Sequence, residues 1–209
     1  MRGSSAIAFV AAVLLAGALA AYGAAARTPA SARALAAGLK GRHRAEADLA
    51  YSLEDPLGGK PRSIRGKLAL EPPDRIRLDF SSTGESVALR GDGGEWLQPA
   101  THQLIRIPKD RAVAALDWGR VLLPSAGTTF REDSLAPRRY RFSPLEPDAA
   151  ASAVLVELDA RGLPARLTIE NAGADSTLYH FSNWRFTSAR GASAYRLAAP
   201  KGYDVVDLP

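Results

Sequence analysis

The sequence has no cysteine, and that absence removes disulfides, thiol catalysis and thiolate metal sites together. It also removes the cysteine that a bacterial lipoprotein signal needs at its cleavage point. Histidine is nearly as scarce. His43, His102 and His180 stand alone in strand-like or turn segments, and none belongs to H-E-x-x-H or another close metal-ligand spacing. "GESVA", Gly84–Ala88, lacks the second glycine of a nucleophile elbow and lies between strands. "GDGGEW", Gly91–Trp96, has Trp96 where a dinucleotide fingerprint needs its third glycine, and no helix follows. The "RGD" at Arg90–Asp92 reads as a hairpin turn next to glycines that supply positive φ. No cofactor, metal or catalytic residue is expected. An envelope hydrolase using Ser86 or His180 is the enzymatic alternative.

Long apolar runs are missing too, save one. Met1 and Arg2 precede a stretch from Ala6 to Ala21, and the small residues of "YGAAA" follow before Arg27. A positive start, an apolar middle and an A-x-A site describe a secretory signal peptide. Cleavage is expected after Ala26, with Ala18 and Ala20 offering an earlier site. The run is about 15 residues of mostly alanine, short for a membrane span; an uncleaved anchor is the other reading. Residues 1–26 are thus read as signal peptide and 27–209 as one exported domain, soluble in the periplasm of a diderm cell.

The formal charge is +5, and losing residues 1–26 deletes only Arg2. A sequence pI near 9.7 raises a nucleic-acid reading. Export and the interspersed placement of the charges argue against it, and most charges read as solvated strand faces. A mildly basic surface suits anionic lipid headgroups or an acidic partner.

Periodicity predicts mostly strands. A helix opens the domain: Thr28 caps it, Pro29 takes its first position, Ala32, Leu35, Ala36 and Leu39 form its apolar face, and Gly41 ends it. Strands are expected at His43–Leu53, Ile64–Leu70, Asp74–Ser81, Ser86–Arg90, Glu95–Pro99 and Gln103–Pro108. A short helix is expected at Asp110–Trp118, then proline-rich loop to Pro147 with "RRYRF" as a short element. Strands resume at Ala153–Leu158, Ala165–Glu170, Ser176–Thr187 and Ala194–Ala198. Turns recur at roughly 8–12 residues, an antiparallel pattern.

In "DRIRLDF", Ile76, Leu78 and Phe80 alternate with Arg75, Arg77 and Asp79, so one strand face is apolar and the other charged. A sheet of about ten such strands must curl or close, and only two short helices are available to cover it. A concave apolar face with too little protein to fill it is a ligand-cavity arrangement. Cavity-lining candidates are Leu68, Leu70, Ile76, Leu78, Phe80, Val87, Leu89, Trp96, Leu167 and Ile169. Ordinary core is the competing reading for each.

Three blocks in order, "GKLALEPPDRIRLDF", "GESVALRGDGGEWLQPATHQ" and "LPARLTIENAGADSTLYHFSNWRFTSARGASAYRLAAPKGYDVVD", resemble the outer-membrane lipoprotein carrier family, LolA. The likeness lies in a glycine–strand–proline–strand hairpin, an Asp-Gly turn before a tryptophan strand, and a Phe–Asn strand before a Pro-x-Gly-x-Asp-Val ending. With the signal peptide and first helix it spans nearly all of residues 28–207. The resemblance implies an α+β fold, an incomplete (half-open) antiparallel β-barrel under a short helical lid. It further implies a monomeric periplasmic chaperone, not an enzyme, that takes acyl chains of lipoproteins from an inner-membrane exporter and passes them to an outer-membrane acceptor. A carrier or sensor of another envelope lipid is the alternative. In the family an arginine just before the hairpin proline ties barrel to lid. Here Glu71 or Pro72 stands there, with Arg75 as a substitute from the next strand.

Overall fold

The computed structural model describes residues 28–53, 62–109, 121–122, 130–145, 153–170 and 176–208. The signal-peptide segment and the helix expected at Asp110–Trp118 lie outside the described residues. Helix α1 spans Arg33–Leu39, after a 3-10 turn at Ala30–Ala32. Twelve strands follow: β1 Arg44–Leu53, β2 Arg62–Glu71, β3 Arg75–Phe80, β4 Ser86–Arg90, β5 Gly93–Gln98 and β6 Gln103–Ile107, then β7 Phe130–Ala136, β8 Arg139–Pro144, β9 Ala153–Leu158, β10 Pro164–Glu170, β11 Ser176–Thr187 and β12 Asp204–Asp207. They form one open sheet in the order β12-β6-β5-β4-β3-β2-β1-β11-β10-β9-β8-β7. Every pairing is antiparallel except that of β12 with β6. This is the half-open antiparallel arrangement with a short helix, two strands larger than periodicity predicts.

The extra strands have physical explanations. Residues 130–144 form a hairpin whose turn includes Arg138 at φ 63, an uncommon conformation for a non-glycine residue. β7 carries Arg131, Glu132 and Asp133 in succession and lacks a strand's alternation. β12 is a four-residue edge with Val205 and Val206 exposed, flanked by Asp204 and Asp207, a charge placement that blunts an edge. The strand expected at Ala194–Ala198 is instead a 3-10 turn at Ala192–Tyr195 within a strap that runs across the sheet.

Strand register separates two faces. On the inner face one row runs Ala45–Leu70–Ile76–Leu89, and the next runs Ala47–Leu68–Leu78–Val87–Trp96–Ile105. The leucines, isoleucine and alanines of these rows, from Ala45 to Leu89 and from Ala47 to Leu78, form the core with Leu35 and Leu39 of α1, Leu167 of β10, Val154 and Val156 of β9, and Phe142 of β8. Val87, Trp96 and Ile105 are half-buried at its edge. Two glycines allow the close approaches this needs. A Cβ on Gly38 would fall on the Phe186 ring, and one on Gly66 would fall on the Asp79 carbonyl oxygen.

The outer face is where the expectation of solvated charge fails. The strap crosses it, and side chains of the sheet hold the strap's backbone. Glu71 accepts from the Arg190 N–H (2.9 Å), Arg77 donates to the Ala194 carbonyl (2.9 Å), Arg90 donates to the Tyr195 carbonyl, and Glu95 accepts from the Leu197 N–H (3.3 Å). Ion pairs join these groups beneath the strap: Arg75 with Glu71 (2.6 Å), Arg77 with Asp79 (2.9 Å) and Arg90 with Glu95 (2.7 Å). Arg44 pairs with Glu46 (2.9 Å), donates to the Tyr195 hydroxyl (3.0 Å) and lies 5.4 Å from that ring's centre. Arg44, Glu71 and Arg90 are buried, and Tyr195 is fully so. Carboxylates on both sides hold the Arg90 guanidinium above its ordinary pKa, with the Glu95 hydrogen bond the main cause.

Burial pushes the Tyr195 phenol up to about 12. A raised folded-state value means that the folded chain holds this proton where the unfolded chain, near 10, has released it. The contribution to stability is whole below about pH 10 and is lost as pH rises through the folded value of about 12. Chemical denaturation midpoints should therefore fall over that window, and Tyr195→Phe should flatten part of the fall. At neutral pH the same substitution leaves Arg44 one acceptor short and should cost about 1–3 kcal/mol.

Candidate functional site

The inner face is the candidate site, and register places all ten predicted lining residues on it. Their burial divides them. Leu68, Leu70, Ile76, Leu78, Leu89 and Leu167 are buried in the core. Phe80, Val87 and Ile169 are only half-buried against it, and Trp96 is half-buried as well. In the structure as it stands, the first six are wall backing, and the last four are the members of the set that reach open space.

Several further residues join them. Tyr51 of β1 and Tyr179 of β11 are opposite one another, and their rings stack at 5.0 Å. Tyr179 continues to Phe181 at 6.4 Å, and Phe181 to Trp184 at 5.8 Å. Burial raises the Tyr179 phenol well above its ordinary range, with Tyr51 adding to the shift, and burial also raises Tyr51. The alternation of Tyr179 and Phe181 is visible in "STLYHFSNWRFT", but strict alternation would then turn Asn183 inward and Trp184 outward. A β-bulge reverses this. Glu46 pairs with Arg185 and Asp48 with Ser182, so Asn183 and Trp184 together oppose Ala47. Asn183 takes φ 54, which asparagine tolerates better than most residues. Trp184 is thereby buried, donating from its indole to the Pro164 carbonyl at 2.7 Å. The Trp96 indole N–H is also buried, yet it has no hydrogen-bond partner.

Helix α1 covers part of this face. Its amino end is held by a residue about a hundred positions away. Glu132 of β7 accepts hydrogen bonds from the Ala30 N–H (2.8 Å), the Ser31 N–H (2.9 Å) and the Ser31 hydroxyl (2.6 Å). No side chain of the chain entering the helix caps it, so Thr28 does not play the part its position predicts. Glu132 supplies acceptors, and a negative charge, where the backbone N–H groups are otherwise unpaired. Glu71 is one of the two residues the resemblance puts where the family has its lid arginine, and Arg75 is the substitute from the next strand. Both are on the other face, where Glu71 holds the strap at the Arg190 N–H and Arg75 pairs with Glu71. Only the triplet Arg131–Asp133 could have signalled Glu132, and as a charged segment it reads as loop.

Among the described residues no three His, Asp or Glu side chains gather as a metal site would need. The Ser86 hydroxyl donates to Asp79 at 2.7 Å, and His180 lies on β11, separated from β4 by three strands.

No protein-family model matches the chain, and no curated protein matches it. Solved structures similar to it include an uncharacterized conserved protein from Thermus thermophilus, with a TM-score of 0.48 and 13% identity over 86% of this chain and 100% of that one. A LolA superfamily protein from Nitrosomonas europaea gives 0.44 and 8% identity over 79% of this chain and 97% of that one. A putative outer membrane lipoprotein-sorting protein domain from Vibrio parahaemolyticus gives 0.46 and 12% over 79% and 94%. These identities carry no residue's role across, and the functional reading rests on the geometry of the inner face.

Removing the Glu132 carboxylate should free α1 without touching the sheet. Glu132→Ala should lower stability by about 1–2 kcal/mol, the usual worth of a helix cap. It should also speed amide exchange of residues 30–39 more than that of β1. Equal acceleration in both would show that the helix is part of the global fold and not a separately held cover.

Proposed function

We propose that the chain is a periplasmic carrier that takes acyl chains on its inner face, those of lipoproteins moving from the inner to the outer membrane. Export by a cleaved signal peptide, an inner-membrane donor, an outer-membrane acceptor and action as a monomer belong to this reading. The carrying observation is that the half-buried apolar residues Phe80, Val87, Trp96 and Ile169 share one face with the stacked Tyr51 and Tyr179. Over that face the described residues place one seven-residue helix and the buried Val121 and Leu122. The unpaired Trp96 indole N–H adds to it. A buried donor without a partner costs free energy, and an ester or amide carbonyl at the head of an acyl chain is an acceptor of the right kind.

The chemistry favours carriage over catalysis. Ser86 gives its proton to a carboxylate already held by Arg77, so no free base stands beside it. The hydrolase reading predicts turnover of an ester or glycoside that is lost in Ser86→Ala or His180→Gln; the carrier reading predicts none.

Native mass spectrometry of residues 27–209, purified from envelope extracts, should show adducts with the mass of acylated peptide or lipid. Phe80→Ala and Val87→Ser, both outside the fully buried core, should reduce adduct occupancy several-fold while thermal unfolding stays cooperative. Adduct masses would separate lipoprotein cargo from another envelope lipid. An adduct-free protein that also ignores added acylated peptide would end the carrier reading.

A further inference from the structure

The strap leaves part of the outer face uncovered, and that part forms a groove of about 620 Å³ across β11, β1, β2, β3 and the start of β4. Two rows of side chains cross its floor. In one, Ser182, Asp48, Lys67, Asp79 and Ser86 are successive cross-strand neighbours. In the other, His180, Ala50 and Arg65 follow one another, with Arg166 next to His180 outside the groove's lining.

The two rows differ in charge balance. Lys67 has a carboxylate on each side, Asp48 and Asp79, so its charge is offset locally. Those carboxylates are also engaged: Asp48 accepts from Asn183 at 2.8 Å, and Asp79 accepts from Arg77 at 2.9 Å and from Ser86 at 2.7 Å. Glu85 also lines the groove, on the Arg65 side, where its carbonyl accepts from the Phe80 N–H and the Ser81 N–H donates to the Arg65 carbonyl. In the other row no acid stands between the bases. Arg166 is drawn toward Glu157 at 3.7 Å, while Arg65 and His180 face the groove with only Ala50 between them. Two strand spacings put their backbones about 10 Å apart, and the alanine methyl leaves that interval open.

We propose that Arg65 and His180 form, over Ala50, a binding site for a phosphate-class anion, a phosphate monoester or phosphodiester. A tetrahedral phosphate offers oxygens in several directions. It takes a forked pair of hydrogen bonds from the guanidinium on one side and an N–H from the imidazole on the other, and its charge favours the imidazolium. A carboxylate, planar with two oxygens, bridges such an interval less well. The site is on the face opposite the proposed acyl-chain site and does not depend on it. The same chemistry is offered by a soluble phosphate ester and by a phospholipid headgroup.

The test is a nuclear magnetic resonance titration of the three histidines in residues 27–209, with His180 assigned through His180→Gln. Inorganic phosphate, glycerol phosphate and phosphatidylglycerol vesicles are added separately at constant ionic strength. The charged groups facing His180, namely Arg166, Asp48, Arg65 and Lys67, are the same in every arm. Binding should shift the His180 signals saturably, with His43 and His102 unmoved. Arg65→Ala, at an exposed position, should weaken the response about tenfold, and Ala50→Glu should abolish it while inner-face adducts persist. A response to the soluble anions identifies a phosphate ester as ligand, and one confined to vesicles identifies a membrane headgroup; either supports the site. A His180 shift no larger than sodium chloride gives, or vesicle binding that survives Arg65→Ala undiminished, would overturn it.

Discussion

The structure is governed by a shortage of cover. Twelve strands at about 4.8 Å spacing would extend some 50 Å if laid flat, whereas a seven-residue helix is about 10 Å long. Helix α1 therefore spans roughly two strands, and among the described residues the rest of the apolar face is covered by Val121 and Leu122 and by the sheet itself. Curling achieves that in the middle, where Gly66 lets β3 approach β2 and where Leu68, Leu70, Ile76 and Leu78 bury one another. At the side where Phe80, Val87 and Trp96 lie, the described chain leaves apolar side chains half open. An acyl chain supplies the missing cover in the proposed reading.

The outer face meets the same shortage with different chemistry. A strap whose regular structure is one 3-10 turn, Ala192–Tyr195, has backbone groups that need partners, and the charged sides of β2 to β5 provide them. Buried charge is tolerated because Arg44, Glu71 and Arg90 each meet an opposite charge and a strap group at once. Removing one member of such a set leaves its partner buried and unpaired, which costs several kcal/mol. The exposed pairs Arg131–Asp133 and Arg161–Asp159 are worth at most about 1 kcal/mol. The "RGD" arginine thus belongs to the strap's anchorage rather than to a solvent-facing turn.

Local order was readable from residues; long-range capture was not. β4, β9 and β11 have the bounds that alternation predicts, because period two is a property of the strand alone. The ten lining candidates share one face for the same reason. What escaped is what depends on a distant partner. Arg75, Arg77 and Asp79 read as solvated because nothing local says that residues 190–197 will lie over them. Glu132 has no cap signature because its helix is a hundred positions upstream. The inward turn of Trp184 depends on a bulge opposite Ala47, and a lone asparagine in a strand does not announce one. Which of the ten candidates close into core and which stay half open depends on curvature, which no single strand encodes.

That last division bears most on function. Burial of an acyl chain is worth about 0.8 kcal/mol per methylene, on the order of 12 kcal/mol for about 16 carbons. A face that captured all of it would hold its cargo at about nanomolar affinity, and release would be slow without an energy source. A fully exposed face would capture too little to cross water. Phe80, Val87 and Ile169, each already partly covered by the core, and the half-buried Trp96 lie between these limits, so that in the proposed reading a chain laid on them gains only the remaining fraction. A short helix pinned by one carboxylate adds a cover whose detachment costs about as much as a helix cap, a small sum beside the acyl chain's own. In the proposed reading, grip and release are set by how much of the inner face the protein leaves unburied.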